Sequence, residues 1–147
     1  MSETLYEHAG GAPALLALVT AHHRRCIADP ELNHPFSHDD LDPEHVSRLA
    51  AYWSEVLGGP PSGLDHAEVL RMHAGNGDMT EMGRRFHACF LGAMDDAGLP
   101  ADAAFRTTMS DYMRWAVDEV LSYDDPAVEV PATAPVPRWG WDGPVRG

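Results

Sequence analysis

At 147 residues the chain has the length of one domain, enough to bury ~70% of its unfolded surface around a single core. A composition of 44% hydrophobic and 22% charged residues is that of a globular protein, and a net charge of −13 disfavours nucleic acid because the ten cations are arginines scattered along the chain. Without lysine, Schiff-base chemistry on a side-chain amine is excluded. No apolar run approaches the ~18 residues of a membrane helix, and Met1-Ser2-Glu3-Thr4 lacks a signal peptide's basic start. The expectation is a cytoplasmic protein that contacts no membrane.

A helical turn around Thr4 to His8 precedes the breaker Gly10-Gly11. Ala12, Leu15, Leu16, Val19, His22, His23, Cys26 and Ile27 then recur at three-to-four spacing, with Pro13 in the first turn and Asp29-Pro30 as the stop. A compact connection, residues 33–38, leads to a helix start at Asp42-Pro43 and a stripe of His45, Val46, Leu49, Tyr52, Trp53 and Val56. Gly58-Gly59-Pro60-Pro61 ends that helix, and a short one follows over about Asp65 to Met72 before Gly75-Asn76-Gly77. Two longer helices carry Met79 to Ala97 and Phe105 to Val120. No segment alternates at period two for long enough to be a strand, so the fold class is all-α.

Residues 1–125 form the expected helical domain, and residues 126–147 an extended tail rich in proline. Trp139 and Trp141 argue that this tail packs against the protein. Cys26 and Cys89 lie in apolar stripes and read as free thiols.

The nine histidines carry the functional argument. Several helices each aim one or more of them inward: His22 and His23, then His45, His73 and His87. Imidazole is the commonest metal ligand and exchanges protons near neutral pH, so a central cofactor is indicated. No HExxH or repeated ExxH pattern suggests a carboxylate-bridged metal pair. The phosphate-loop, dinucleotide and GxSxG motifs are absent as well.

Leu5-Tyr6-Glu7-His8-Ala9-Gly10-Gly11, Asp29-Pro30-Glu31-Leu32, Phe36, Leu49-Ala50-Ala51-Tyr52-Trp53, Leu57-Gly58-Gly59-Pro60 and Arg71-Met72-His73-Ala74-Gly75-Asn76-Gly77 follow one another in an order that resembles the truncated haemoglobins. The resemblance runs from about Leu5 to Leu121 and is to group-two-like members. An actinobacterial subset labelled as oxidoreductases shares the tail from Arg138-Trp139 to Gly143. It implies a two-over-two helical globin sandwich around haem b, with an extended C-terminal tail.

Carried over by position, the resemblance makes His73 the proximal iron ligand and Phe36 the aromatic residue packed on the haem. His45 and Leu49 take distal positions. His23 stands where many members have a ligand-binding tyrosine, and His87, allowing one inserted residue, where group-two members have tryptophan. A change of phase by one residue would exchange His22 and His23; the resemblance favours His23. Trp53, Leu70, Phe86, Phe90 and Met94 complete the expected apolar walls, and Arg71 is a candidate partner for a haem propionate.

The implied activity is binding or transformation of oxygen, nitric oxide or peroxide. His23, His45 and His87 as catalytic groups favour peroxidase-like oxidoreductase chemistry over simple oxygen storage. An electron-donating reductase is a candidate partner and a homodimer is left open. The competing readings are haem-based oxygen binding or sensing without turnover, a non-haem histidine-ligated metal protein, and an interaction module that uses the Pro/Trp tail.

Overall fold

The computed structural model describes residues 3–30, 43–73, 80–123 and 129–145, with the side chains of residues 43, 45 and 71–73 outside that description. Six helices follow in order: α1 Leu5–Ala9, α2 Ala12–Ala28, α3 Pro43–Val56, α4 His66–His73, α5 Thr80–Asp96 and α6 Ala103–Leu121. A hairpin closes the chain, β1 Arg138–Gly140 against β2 Gly143–Val145. The expected helices are present, each boundary within a residue or two of its sequence signal. Among the described residues no helix is long and apolar enough to cross a membrane.

Local chemistry explains the paired glycines at residues 58–59. Thr4 caps α1 by accepting from the Glu7 amide at 3.1 Å, while Glu7 returns its carboxylate to the Thr4 amide at 3.0 Å. The Tyr6 amide then donates to the Leu57 carbonyl at 2.9 Å, which seats α1 on the end of α3. That seat needs glycine. Gly58 has φ of 99°, and a Cβ there would meet Thr4; a Cβ on Gly59 would meet the Ser54 carbonyl and the Tyr6 ring.

Helix α2 packs against both α3 and α5, and α5 packs against α6, giving a two-over-two arrangement. The core is filled by Leu15, Leu18 and Val19 of α2, Val46, Trp53 and Val56 of α3, and Phe90, Ala93 and Met94 of α5. Phe105, Met109, Tyr112 and Met113 of α6 complete it. Burial of each large apolar side chain contributes ~1.5–3 kcal/mol.

The C-terminal segment is more ordered than an extended tail. Val136 and Trp139 belong to the same core cluster, Trp139 lying 5.7 Å from the Tyr112 ring and 5.5 Å from Trp115. Trp141 Nε1 donates to the Glu3 carbonyl at 2.8 Å. Each strand has only three residues, too few for alternation to register in the sequence. The boundary expected between residues 125 and 126 lies outside the described residues.

One core residue is polar. His22 is 1% exposed, its ring edge-on to Phe86 at 4.3 Å and close to Trp53 and Phe90. Its Nε2–H donates to the Phe86 carbonyl at 3.1 Å. Burial pulls its pKa down to about 4, outweighing that hydrogen bond, and the neighbouring His23 lowers it further.

This ring therefore stays neutral in the folded chain. With a folded pKa of about 4 against 6.5 for the free side chain, the unfolded state takes up the proton first as pH falls. The stability His22 supplies is present above pH 6.5 and is lost as pH falls towards 4. The cost by pH 4 is about 3 kcal/mol, taking ~1.4 kcal/mol per pKa unit. Urea unfolding at stepped pH should give a steep loss in the wild type and a shallower one in His22→Phe. Equal slopes would show that His22 does not titrate on unfolding.

Candidate functional site

Adjacent residues on a helix point ~100° apart, and α2 uses this to separate its two histidines. His22 enters the aromatic cluster with Trp53, Phe86 and Phe90, and its N–H is committed to a backbone carbonyl. His23, 2% exposed, lies on the neighbouring face with both ring nitrogens shut off from solvent. A buried imidazole next to a core histidine, at the far end of α2 from the α1 seat, is the polar feature that most needs a functional account.

The same geometry acts on α5. Phe86 is half-buried and turned to α2, where it meets His22. His87 is turned the other way: its Nε2 lies 3.1 Å from both the carbonyl and the hydroxyl of Ser110 on α6. The resemblance, with its one inserted residue, led to His87 as a distal group. In the fold the side of α5 packed on α2 belongs to Phe86, because α5 is held between α2 and α6 and adjacent residues must face different partners.

Of the expected wall residues, Trp53, Leu70, Phe90 and Met94 are buried. Leu49 is half-buried and packed on the core. Phe36 lies outside the described residues, as do the side chains of His45, Arg71 and His73. The backbone places position 45 in the first turn of α3 and position 73 at the last residue of α4. Leu49 stands one turn after position 45, and Val69 one turn before position 73, so each shares a helix face with an expected iron-side position. Both are half-buried.

Half-buried apolar side chains on α3, α4 and α5, with imidazoles on the same frame, are what a flat apolar macrocycle with one iron requires. The residues present fit haem. A cage of several ligands for a bare ion is not seen: among the described residues no group of three or more His, Cys, Asp or Glu could hold a metal. Two surface hollows among the described residues lie elsewhere. One, of about 650 Å3, runs along the outer face of α2 by Leu16, Arg24 and Asp96; the other, of about 260 Å3, sits by Tyr6, Ser47 and Pro60.

One polar cluster was missed by sequence reasoning. Tyr52 of α3 donates its hydroxyl to His66 Nδ1 at 2.7 Å, and His66 Nε2–H donates to Glu119 Oε1 of α6 at 2.8 Å. Tyr52 is 5% exposed and His66 7%. Burial, with the charges of Glu119 and Glu55, pushes the Tyr52 phenol above its usual range. The start of α4 is further held by the C-terminal segment: the His66 amide donates to the Ala134 carbonyl, and the Ala134 amide to Asp65 Oδ1. Partners 14, 53 and 69 residues apart leave no local signal in the sequence.

Cys26 and Cys89 are free thiols, the first buried and the second half-buried, and burial raises the pKa of both.

A family model described as bacterial-like globin matches residues 4–121. Among solved structures, the group II truncated haemoglobin from Bacillus anthracis superposes with a TM-score of 0.69 at 21% identity, covering 82% of this chain and 92% of that one. A thermostable haemoglobin from the actinobacterium Thermobifida fusca gives 0.65 at 24%, covering 81% and 97%. Haemoglobin from the thermophilic phototroph Chloroflexus aurantiacus gives 0.68 at 26%, covering 82% and 98%. No curated protein matches. The family match spans most of the chain and agrees with the helical frame and its imidazoles, so this chain belongs to the bacterial-like globin family, as a truncated haemoglobin whose cofactor is haem with its iron.

Proposed function

We propose that the chain binds a diatomic ligand or peroxide at its haem and turns it over, in preference to storing oxygen. The observation that carries this reading is His23, a solvent-shielded imidazole on α2 where the family commonly has a tyrosine. Bound haem would supply an iron able to take a small ligand. Imidazole as a side chain has a reference pKa of ~6.5 against ~10 for a phenol, so it is the better proton carrier of the two.

In this reading His73, at the end of α4, ligates the iron. Leu49, Trp53, Leu70, Phe86 and Phe90 form the apolar walls together with Phe36, and Arg71 pairs with a propionate. His23 and His45 face the ligand. The hydrogen bonds to Ser110 keep His87 in the α5–α6 contact, so His23 is the principal proton carrier. Turnover consumes electrons, which makes an electron-donating reductase the partner class.

Two experiments test the assignment. Peroxide-dependent dye oxidation, followed over about pH 5 to 8, should fall ~10²-fold or more in His23→Phe and lose its pH dependence. His87→Phe should change it little. A His23→Phe rate equal to wild type at every pH contradicts the role given to His23. Replacing His73 with glycine should change the haem spectrum, and free imidazole should restore it. An unaltered spectrum in His73→Gly removes His73 as the iron ligand.

A further inference from the structure

We infer that Tyr52 is a redox-active tyrosine, a one-electron donor to the haem site whose phenol proton passes to His66 as the electron leaves. The inference rests on the proposed turnover of peroxide.

The hydrogen-bond directions follow from chemistry. The Glu119 carboxylate can only accept, so the His66 proton sits on Nε2, and Nδ1 is left as a base 2.7 Å from the Tyr52 hydroxyl. A buried phenol that loses an electron becomes a strong acid and must shed its proton within a hydrogen bond. His66 Nδ1 is placed to take it. The imidazolium so formed faces Glu119, and the other carboxylate oxygen, Oε2, is buried with no hydrogen-bond partner among the described residues. That arrangement holds unspent negative charge beside the ring that would become positive. A polar tie between α3, α4 and α6 would serve as well with a neutral amide in place of Glu119.

The aromatic surroundings supply a route for the electron. Tyr52 lies one turn beyond Leu49, ~4.5 Å along α3, and next to Trp53. Tyr112, on α6, is buried as well, and burial together with its neighbour Tyr52 holds its phenol above the usual range. Trp139 is 5.7 Å from Tyr112 and 5.5 Å from Trp115, and Trp115 is half-buried at the surface. Tyr52 thus lies between the proposed haem wall and an aromatic line that reaches solvent.

Each step moves one electron from Tyr52 to the haem site and one proton from its oxygen to His66 Nδ1, leaving a neutral phenoxyl radical. A one-electron, one-proton donor such as a small phenol, oxidised at Trp115, restores Tyr52. Two such steps reduce one hydrogen peroxide: its O–O bond breaks, two electrons and two protons are taken up, and two waters form while two donor molecules become radicals.

The test mixes haem-loaded protein with hydrogen peroxide, freezes it within milliseconds and records the electron paramagnetic resonance spectrum. Wild type should show a tyrosyl signal that narrows when the tyrosine rings are deuterated. Tyr52→Phe should lose it, with the haem band retained as the check of folding. His66→Gln should form it ~10²-fold more slowly, because the base is gone. A spin trap followed by peptide mapping of wild type should find its adduct on Tyr52, which needs no variant. Peroxide consumed with no tyrosyl signal, an undiminished signal in Tyr52→Phe, or an adduct only elsewhere overturns the inference alone. Peroxide left unconsumed by wild type overturns both it and the proposed turnover.

Discussion

The insertion of a neutral imidazole between three aromatic rings sets the geometry on which the rest depends. His22 enters the space between Trp53, Phe86 and Phe90, and its Nε2–H donates to the Phe86 carbonyl. A buried donor without a partner costs ~1–3 kcal/mol, so α2 cannot rotate about its axis without losing that bond. The contact fixes the phase of α2 against α3 and α5 together. Once His22 is committed to the core, His23 has one face left to it, and the chemistry proposed for the chain depends on that choice.

A second constraint acts at the opposite end of the frame. Helix α4 has eight residues, short enough to be marginal alone. Its first turn is held by Tyr52 of α3, Glu119 of α6 and Ala134 of the C-terminal segment. The segment after the last long helix therefore helps to place α4, and through it the residue at the helix's end. Trp139 anchors the segment by filling a gap beside Tyr112 and Trp115. Core packing and the placement of α4 are coupled through a stretch that resembles a tail in composition.

Much of this was legible in the residues. The stripes of α3, α5 and α6 are amphipathic, and among the described residues their apolar members are buried or half-buried; in α2 the stripe finds Leu15 and Val19, but Leu16 is exposed and Leu18, outside the stripe, is buried. The glycine pairs at residues 10–11 and 58–59 announced breaks, and the structure adds that the second break packs on the start of α1 at Thr4 and Tyr6. Both histidines of α2 were expected to point inward, and both are buried. The candidate site was less readable where phase is set by two partners at once: α5 touches both α2 and α6, and only the packed structure shows that Phe86 faces the first and His87 the second. The relay from Tyr52 through His66 to Glu119 had no local signature, because tertiary packing brings its members together across three helices.

The central claim is that His23, and not His22, addresses the ligand on the iron. Carbon monoxide added to the ferrous protein reports this directly, since the iron–carbon stretching frequency in the Raman spectrum responds to a hydrogen-bond donor beside the bound ligand. His23→Phe should move that frequency to the position of an apolar pocket, and His22→Phe should leave it where the wild type has it. A shift in His22→Phe with none in His23→Phe would contradict the account.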